Sequence, residues 1–348
     1  MIGSCKPRQS YPEAYAYAAG SYAVRRGFLL TPDDLRRTPA EGAAEFLIGL
    51  VNRGSYGAVS SGTPLLEVVA IVEEAWRSFL ARAEQDLPEP FLPYLLRILA
   101  EKEYAKAGLA AWSLYGTSLP SSISGPTREY AEYCRLLQNT VADSDAADQE
   151  SVFADALREG LSVWRAGGLA QESQTVFDLS FVTGTLRSLA VQYAYPAIIN
   201  YVDSILDTMI AGLALKAKLR SEAGMGLPAE GLFRWIPKET AARLRNVVDR
   251  VRDTAWESIQ PEDLVPTSMA EQISSALRYT QSGRMAILAE MLDEAASREI
   301  SSLGTEPYGV GVIFSYMMDF RREVWSLRRQ LRSVDAGGTH LRARESVA

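Results

Sequence analysis

Cysteine and histidine are nearly missing from this chain of 348 residues, which has only Cys5, Cys134 and His340. Two cysteines cannot build a disulfide framework, and these two lack the spacing of a zinc site. Cys5 is expected in a flexible start and Cys134 on a helix face. A lone histidine in a Gly- and Arg-containing tail leaves few routes to imidazole-based nucleophilic or metal catalysis. Nucleotide-handling and hydrolytic signatures are also missing. There is no GxxxxGK[ST] loop, GxSxG elbow, HExxH helix or CxxC pair. Apolar runs such as PAIINYV before Asp203 and GVGVIFSYMM before Asp319 are shorter than the roughly 18 residues a bilayer requires. No membrane-crossing helix is therefore expected, and MIGSCKPRQSYPEAYAYAAG lacks the sustained apolar core of a secretory leader. Positive charge is in deficit, with 36 Lys and Arg against 43 Asp and Glu and a net charge of −7. That balance disfavours nonspecific nucleic-acid binding by the whole chain.

Hydrophobic residues make up 47% and charged residues 23%, which is enough apolar material for a folded, water-soluble body. Sustained β-branched alternation between turns is lacking, so strand signals are weak and the fold class expected is all-α. The opening YPEAYAYAAGSYAVRRGFLLTPDDL reads as a helix ending around Gly27. Thr31 then supplies an N-cap, Pro32 a first-position proline and Asp33 an acidic first turn for a second helix. Gly54 to Pro64 is dense in turn residues and predicts a loop, followed by a helix that Trp76 anchors in a core.

One kind of helical segment recurs three times. The copies begin near Phe91, Tyr195 and Tyr308 and stop at Gly116, Gly224 and Gly337, so the stops are 108 and 113 residues apart. Near-even spacing of this kind points to internal repetition. In the first copy Leu92, Leu96, Leu99, Ala107, Ala110 and Leu114 form one helical stripe. In the second the stripe is Ile198, Val202, Ile205, Met209 and Leu213, with Lys216, Lys218 and Arg220 in the last turns, where they suit the helix dipole. Ile313, Met317, Phe320, Val324, Leu327 and Leu331 form the third, with Asp319, Arg321, Arg322, Arg328, Arg329 and Arg332 mostly off it. Trp325 is expected to lie in the core.

Several acids invite a chemical reading. Glu103 sits on an apolar stripe, where an unpaired carboxylate costs desolvation, so a basic partner or solvent is the favoured reading. Asp143, Asp145 and Asp148 imitate part of a calcium loop but lack its central glycine and distal glutamate. Asp203 and Asp207, four apart on one helical face, have the spacing of metal-bridging carboxylates in all-α diphosphate-processing enzymes. A second acid-rich pair is missing, and DDLRR at Asp33 lacks a third aspartate. Salt-bridged or solvated carboxylates on an amphipathic helix are the better reading. The arginine-rich RREVWSLRRQLR from Arg321 is read as a solvated face ahead of a site for a polyanion or acidic partner.

Taken together, the opening Tyr-x-Tyr helix ending in LL and the segments YLLRILAEKEYAKAGLAAW, INYVDSILDTMIAGLALKAKLRSEAG and EPYGVGVIFSYMMDFRREVWSLRRQL resemble the central-stalk "C" component of bacterial and archaeal V/A-type ATPases, the counterpart of the "d" component of eukaryotic vacuolar enzymes. The resemblance covers nearly the whole chain. In the last segment Pro307, Gly309, Tyr316, Glu323, Leu327 and Arg328 match the family's Pro-Gly start followed by a Tyr, a Glu and a Leu-Arg pair on one helix. Where family members often carry an Asp and, one turn later, an Asn, the second copy has Asp203 and Leu206.

The resemblance implies three similar helical bundles in a funnel about an approximate threefold axis, with lobes at 1–118, 119–226 and 227–348 and a flexible C-terminal tail. It implies a non-catalytic central-stalk rotor part, a socket that passes torque between the central shaft and the membrane ring of ion-carrying subunits. Shaft and ring would be its partners. No catalytic, cofactor-binding or metal-binding residue is implied, nor a small-molecule substrate, and the location implied is peripheral, on the cytoplasmic face of the membrane. Candidates for the contacts are loops such as Gly54 to Pro64 and Pro120 to Pro126, or the exposed ends of the repeated helices.

Overall fold

The computed structural model describes residues 12–31, 34–35, 38–39, 41–54, 56–88, 91–115, 152–193, 195–223, 233–266, 269–271, 273–274, 277–278 and 309–335. About 81% of the structure is helical, and no strand occurs among the described residues. The expected all-α class is what the chain adopts. Two compact units divide it: Arg8–Arg97 with Ile300–Ala348, here the terminal unit, and Ile98–Glu299 with Met1–Pro7, here the middle unit. The glycine stops Gly116, Gly224 and Gly337 and the start at Tyr308 lie outside the described residues.

The terminal unit contains α1 (Pro12–Arg26), α2 (Ala43–Arg53), α3 (Leu65–Asp86), the first turns of α4 (Phe91–Tyr115) and, from the far end of the chain, the 26-residue helix Val310–Asp335. That last helix packs against α1, α2 and α3. Its predicted stripe is its buried face: Ile313, Met317, Phe320, Val324, Leu327 and Leu331 are all inside. Fully burying side chains of this size contributes roughly 1.5–3 kcal/mol each. Rings from three other segments meet this face. Phe79 stands edge-on to Phe320 at 4.9 Å, Tyr22 meets Tyr316 at 5.2 Å and Tyr56 stacks on Phe320 at 5.8 Å. Trp325 is half-buried, edge-on to the buried Trp76 at 6.0 Å and attended by the guanidiniums of Arg321 and Arg328.

The middle unit begins with the remainder of α4. Leu92, Leu96 and Leu99 of that helix are buried as predicted, and Ala110 is half-buried; the side chains of Ala107, Leu114 and Glu103 lie outside the described residues. The helices α5 (Ala154–Arg165) and α6 (Ala170–Ser180) form a close hairpin. Gly160 permits the approach, since a Cβ there would stand 2.7 Å from Leu109 and 3.0 Å from the Ser173 carbonyl. Ser173 instead donates its hydroxyl to the Gly160 carbonyl at 2.7 Å. A π-helical stretch, Phe181–Leu186, continues α6 into α7 (Arg187–Tyr193).

The longest described helix is α8 (Pro196–Glu222), which starts with Pro196 in its first turn as predicted and packs on α9 (Lys238–Arg252). Its burial departs from the expected stripe. Ile198 and Val202 are inside, but Ile205, Met209 and Leu213 are only half-buried, while Leu206, Ile210, Ala211, Ala214 and Leu215 are fully inside. By length and mean hydropathy, 1.4 over its best 18-residue window, α8 could cross a membrane, which counting uninterrupted apolar runs did not anticipate. Here 67% of that window is buried within the protein. After a 3₁₀ turn at Trp256–Ser258 follows α10 (Pro261–Leu264). The helix Val310–Asp335 is α11.

Candidate functional site

A carboxylate inside an apolar helix face is costly unless donors reach it. Glu323 is in that position on α11, one turn after Phe320 and one turn before Leu327, and only 2% of it is exposed. Two donors from distant segments meet it. The Leu30 backbone N–H donates to Oε2 at 2.8 Å, and the Tyr56 hydroxyl donates to Oε1 at 2.7 Å. No ion pair to Glu323 occurs among the described residues. Burial pushes its carboxyl up to about 7, although the Tyr56 and Leu30 hydrogen bonds work against the shift. Burial and the Glu323 charge push the Tyr56 phenol far above its ordinary range, so it stays a donor.

The backbone is arranged to let Tyr56 in. A Cβ on Gly54 would stand 2.6 Å from the Tyr56 ring and 3.4 Å from Glu323 Oε1, so only glycine leaves that space. The loop between α2 and α3 is further held by Asn52, whose side chain accepts from the Val59 N–H at 2.6 Å and donates to its carbonyl at 2.9 Å. On the other side Leu30 is placed by the turn that ends α1, where the N–H groups of Gly27, Phe28 and Leu29 return to the carbonyls of Val24, Arg25 and Arg26. Thr31 and Asp34 then cap each other, with Thr31 Oγ1 accepting from the Asp34 N–H at 3.1 Å and Asp34 accepting from the Thr31 N–H at 3.0 Å. This is the cap predicted at Thr31, completed by Asp34. Asp33 itself lies outside the described residues.

One turn before Glu323, Asp319 holds Arg26 at 2.9 Å and Arg322 at 2.7 Å. Burial raises its carboxyl, and the two arginines oppose the rise. Arg26, Leu29, Leu30, Thr31, Leu35, Asp319, Arg322 and Glu323 together line a pocket of about 260 Å³. Further along α11, Arg328 and Arg332 reach Glu73 of α3 at 2.8 and 3.2 Å. Part of the arginine-rich segment is thus a set of ion pairs to a neighbouring helix, not a wholly solvated face.

The acids singled out in the middle unit are paired as well. Asp207 is buried and bonded to Arg243, and Asp203 faces Arg187 at 3.8 Å. No group of three or more metal-ligating side chains occurs among the described residues. Lys218, read as a helix-dipole charge, is buried. It donates to the Arg252 and Thr254 carbonyls at 3.2 and 2.7 Å, pairs with Glu222 at 3.1 Å and lies over the Trp256 ring. Lys216 is exposed. Asp178, passed over in the sequence, is buried between Lys102 at 3.0 Å and Lys106. Burial raises its carboxyl, but the two ammonium groups outweigh that and hold it below the ordinary range. Cys5, Cys134, His340, Asp143, Asp145, Asp148 and the loop Pro120 to Pro126 lie outside the described residues.

Glu323 was visible in the sequence only as one member of a family pattern. The signal that would have found it independently is the one that singled out Glu103, an acid within an apolar stripe. No protein-family model matches this chain, and no curated protein matches it.

Proposed function

We propose that this chain is a non-catalytic rotor socket of a V/A-type ATPase or ATP synthase. In this reading three similar helical bundles form a funnel that receives the central shaft and sits on the membrane ring at the cytoplasmic face. The observation that carries it is the Glu323 junction. Leu30 closes the LL of the opening helix and donates its N–H to Glu323 of the terminal pattern, and Tyr316 of that pattern is buried on the same helix two turns earlier, against Tyr22 of the opening helix. A part that transmits torque has to resist shear, and close-packed long helices supply stiffness. The helices Pro196–Glu222 and Val310–Asp335, at 27 and 26 residues, suit that demand.

A tagged copy of the full chain, expressed in its native host, provides the test. It is expected to recover shaft and ring subunits from detergent-solubilised membranes. Recovery of the chain alone, while the ATPase is shown to stay intact, overturns the reading. Recovery of soluble partners unrelated to an ATPase would replace it with a helical scaffold. Magnesium-dependent diphosphate turnover abolished by Asp207→Asn would replace it with an enzyme.

A further inference from the structure

The segment Phe233 to Asp253 runs against the charge of the chain. It holds six cations and three acids in a protein whose totals are 36 and 43. Arg243 and Arg252 are spent on Asp207 and on Asp249, the latter at 3.1 Å, and Arg250 points to the Glu262 and Asp263 carbonyls. Arg234, Lys238 and Arg245 are all exposed and make no ion pair among the described residues. They are also held together. The Arg245 guanidinium stands 4.7 Å from the centre of the Phe233 ring, and the neighbouring Arg234 guanidinium lies 5.5 Å from that of Trp235. Lys238 lies two turns before Arg245 on the same face of α9, about 10 Å along the axis.

We propose that this surface is a docking site for an acidic polypeptide segment. A guanidinium held over an aromatic ring by cation–π attraction makes no hydrogen bond to it, so its N–H groups stay available to donate to a carboxylate in a two-point contact. Phe233 and Trp235 are half-buried, so the rings fix the two arginines in advance and lower the ordering cost of binding. Two guanidiniums and the Lys238 ammonium therefore form a preset triad for carboxylates carried on one helix or extended stretch. The neighbouring acid Glu239 lies about 100° round the helix from Lys238, on the Arg243 flank. On the triad's own face the acid is Asp249, and Arg252 already neutralises it. A nucleic acid fits less well. One face of each ring is taken by a guanidinium, three phosphate contacts are few, and the rest of the chain is strongly acidic. The inference does not depend on the rotor reading.

Fluorescence anisotropy of the full-length protein at low salt tests it, with a labelled oligoglutamate peptide of about ten residues, long enough to span the triad. Saturable binding is expected, weakened about tenfold or more in Arg234→Gln/Arg245→Gln and only partly in Arg245→Lys, which keeps charge but not the planar fork. Arg77→Gln/Arg158→Gln, an equal loss of charge at other exposed positions, is expected to bind as the parent does. Equal affinity of the two double variants overturns the proposal, as does a single-stranded oligonucleotide that binds more tightly than the peptide. All the substituted residues are exposed, so an unchanged far-UV spectrum is expected throughout.

Discussion

Glu323→Gln is expected to stabilise the protein above neutral pH and to leave it unchanged in acid. The carboxyl lies at about 7 in the folded chain against an ordinary 4.5. Below the lower value both folded and unfolded chains carry the proton, and Glu323 adds no pH dependence. Between the two values the unfolded chain releases it first, so stability falls as pH rises, and above about 7 the full penalty is in place. At 1.36 kcal/mol per pH unit of difference, that penalty is about 3 kcal/mol. Glutamine imitates the protonated acid. Its carbonyl can accept from Leu30 N–H, and its amide can donate to the Tyr56 oxygen, which turns from donor to acceptor. Urea unfolding followed by circular dichroism at about pH 4 and about pH 8 reads the difference, because the variant has no carboxyl at this position to titrate. The variant is expected to match the parent at the lower pH and to exceed it by about 3 kcal/mol at the higher one. A variant less stable than the parent at the higher pH would refute the reasoning. It would show that the two hydrogen bonds, and not burial, dominate the energetics of this carboxylate.

Three other substitutions probe the same physics. Tyr56→Phe removes the stronger of the two opposing hydrogen bonds, so the pH range in which stability falls is expected to extend upward, with a loss of about 1–3 kcal/mol at neutral pH in the same unfolding assay. Gly54→Ala places a methyl 2.6 Å from a buried ring. Its expected cost is about 1–3 kcal/mol, with altered near-UV dichroism as Tyr56 is displaced. Lys218→Met leaves the Arg252 and Thr254 carbonyls without their buried donor and uncovers one face of Trp256. A loss of about 2 kcal/mol and a changed tryptophan emission are expected, and unaltered stability would mean that solvent reaches those carbonyls.

Legibility from the sequence followed how one-sided each helix is. The stripe of α11 could be named residue by residue, since beyond Met318 that helix has one buried face and a row of arginines off it, although its first turns are buried all round. The stripe of α8 could not, because it is buried on more than one side and a 3.6-residue period then selects several faces equally well. The cap at Thr31, the loop Gly54 to Pro64 and the proline start of α8 were readable because they are encoded within a few residues. Glu323 and Tyr56 are 267 positions apart and Lys102 and Asp178 are 76 apart. Local pattern gives no hint of such pairings. The π-helical stretch Phe181–Leu186 likewise has no local signature, although its Thr183 hydroxyl donates to the Leu179 carbonyl at 2.7 Å.

The Leu30 to Glu323 bond has a consequence for biosynthesis. It joins positions 293 apart, and the surface that α1, α2 and α3 must cover is made only when α11 is translated. At about 5–20 residues per second, the opening helices wait roughly 15 s or more for it. During that interval the rings of Tyr22, Trp76 and Phe79 have no permanent cover. Every residue of the middle unit is translated before α11, so folding on the ribosome is expected to run from the inside of the sequence outward. Chains halted before α11 would therefore present an aromatic surface to chaperones and proteases, while released full-length chains would not.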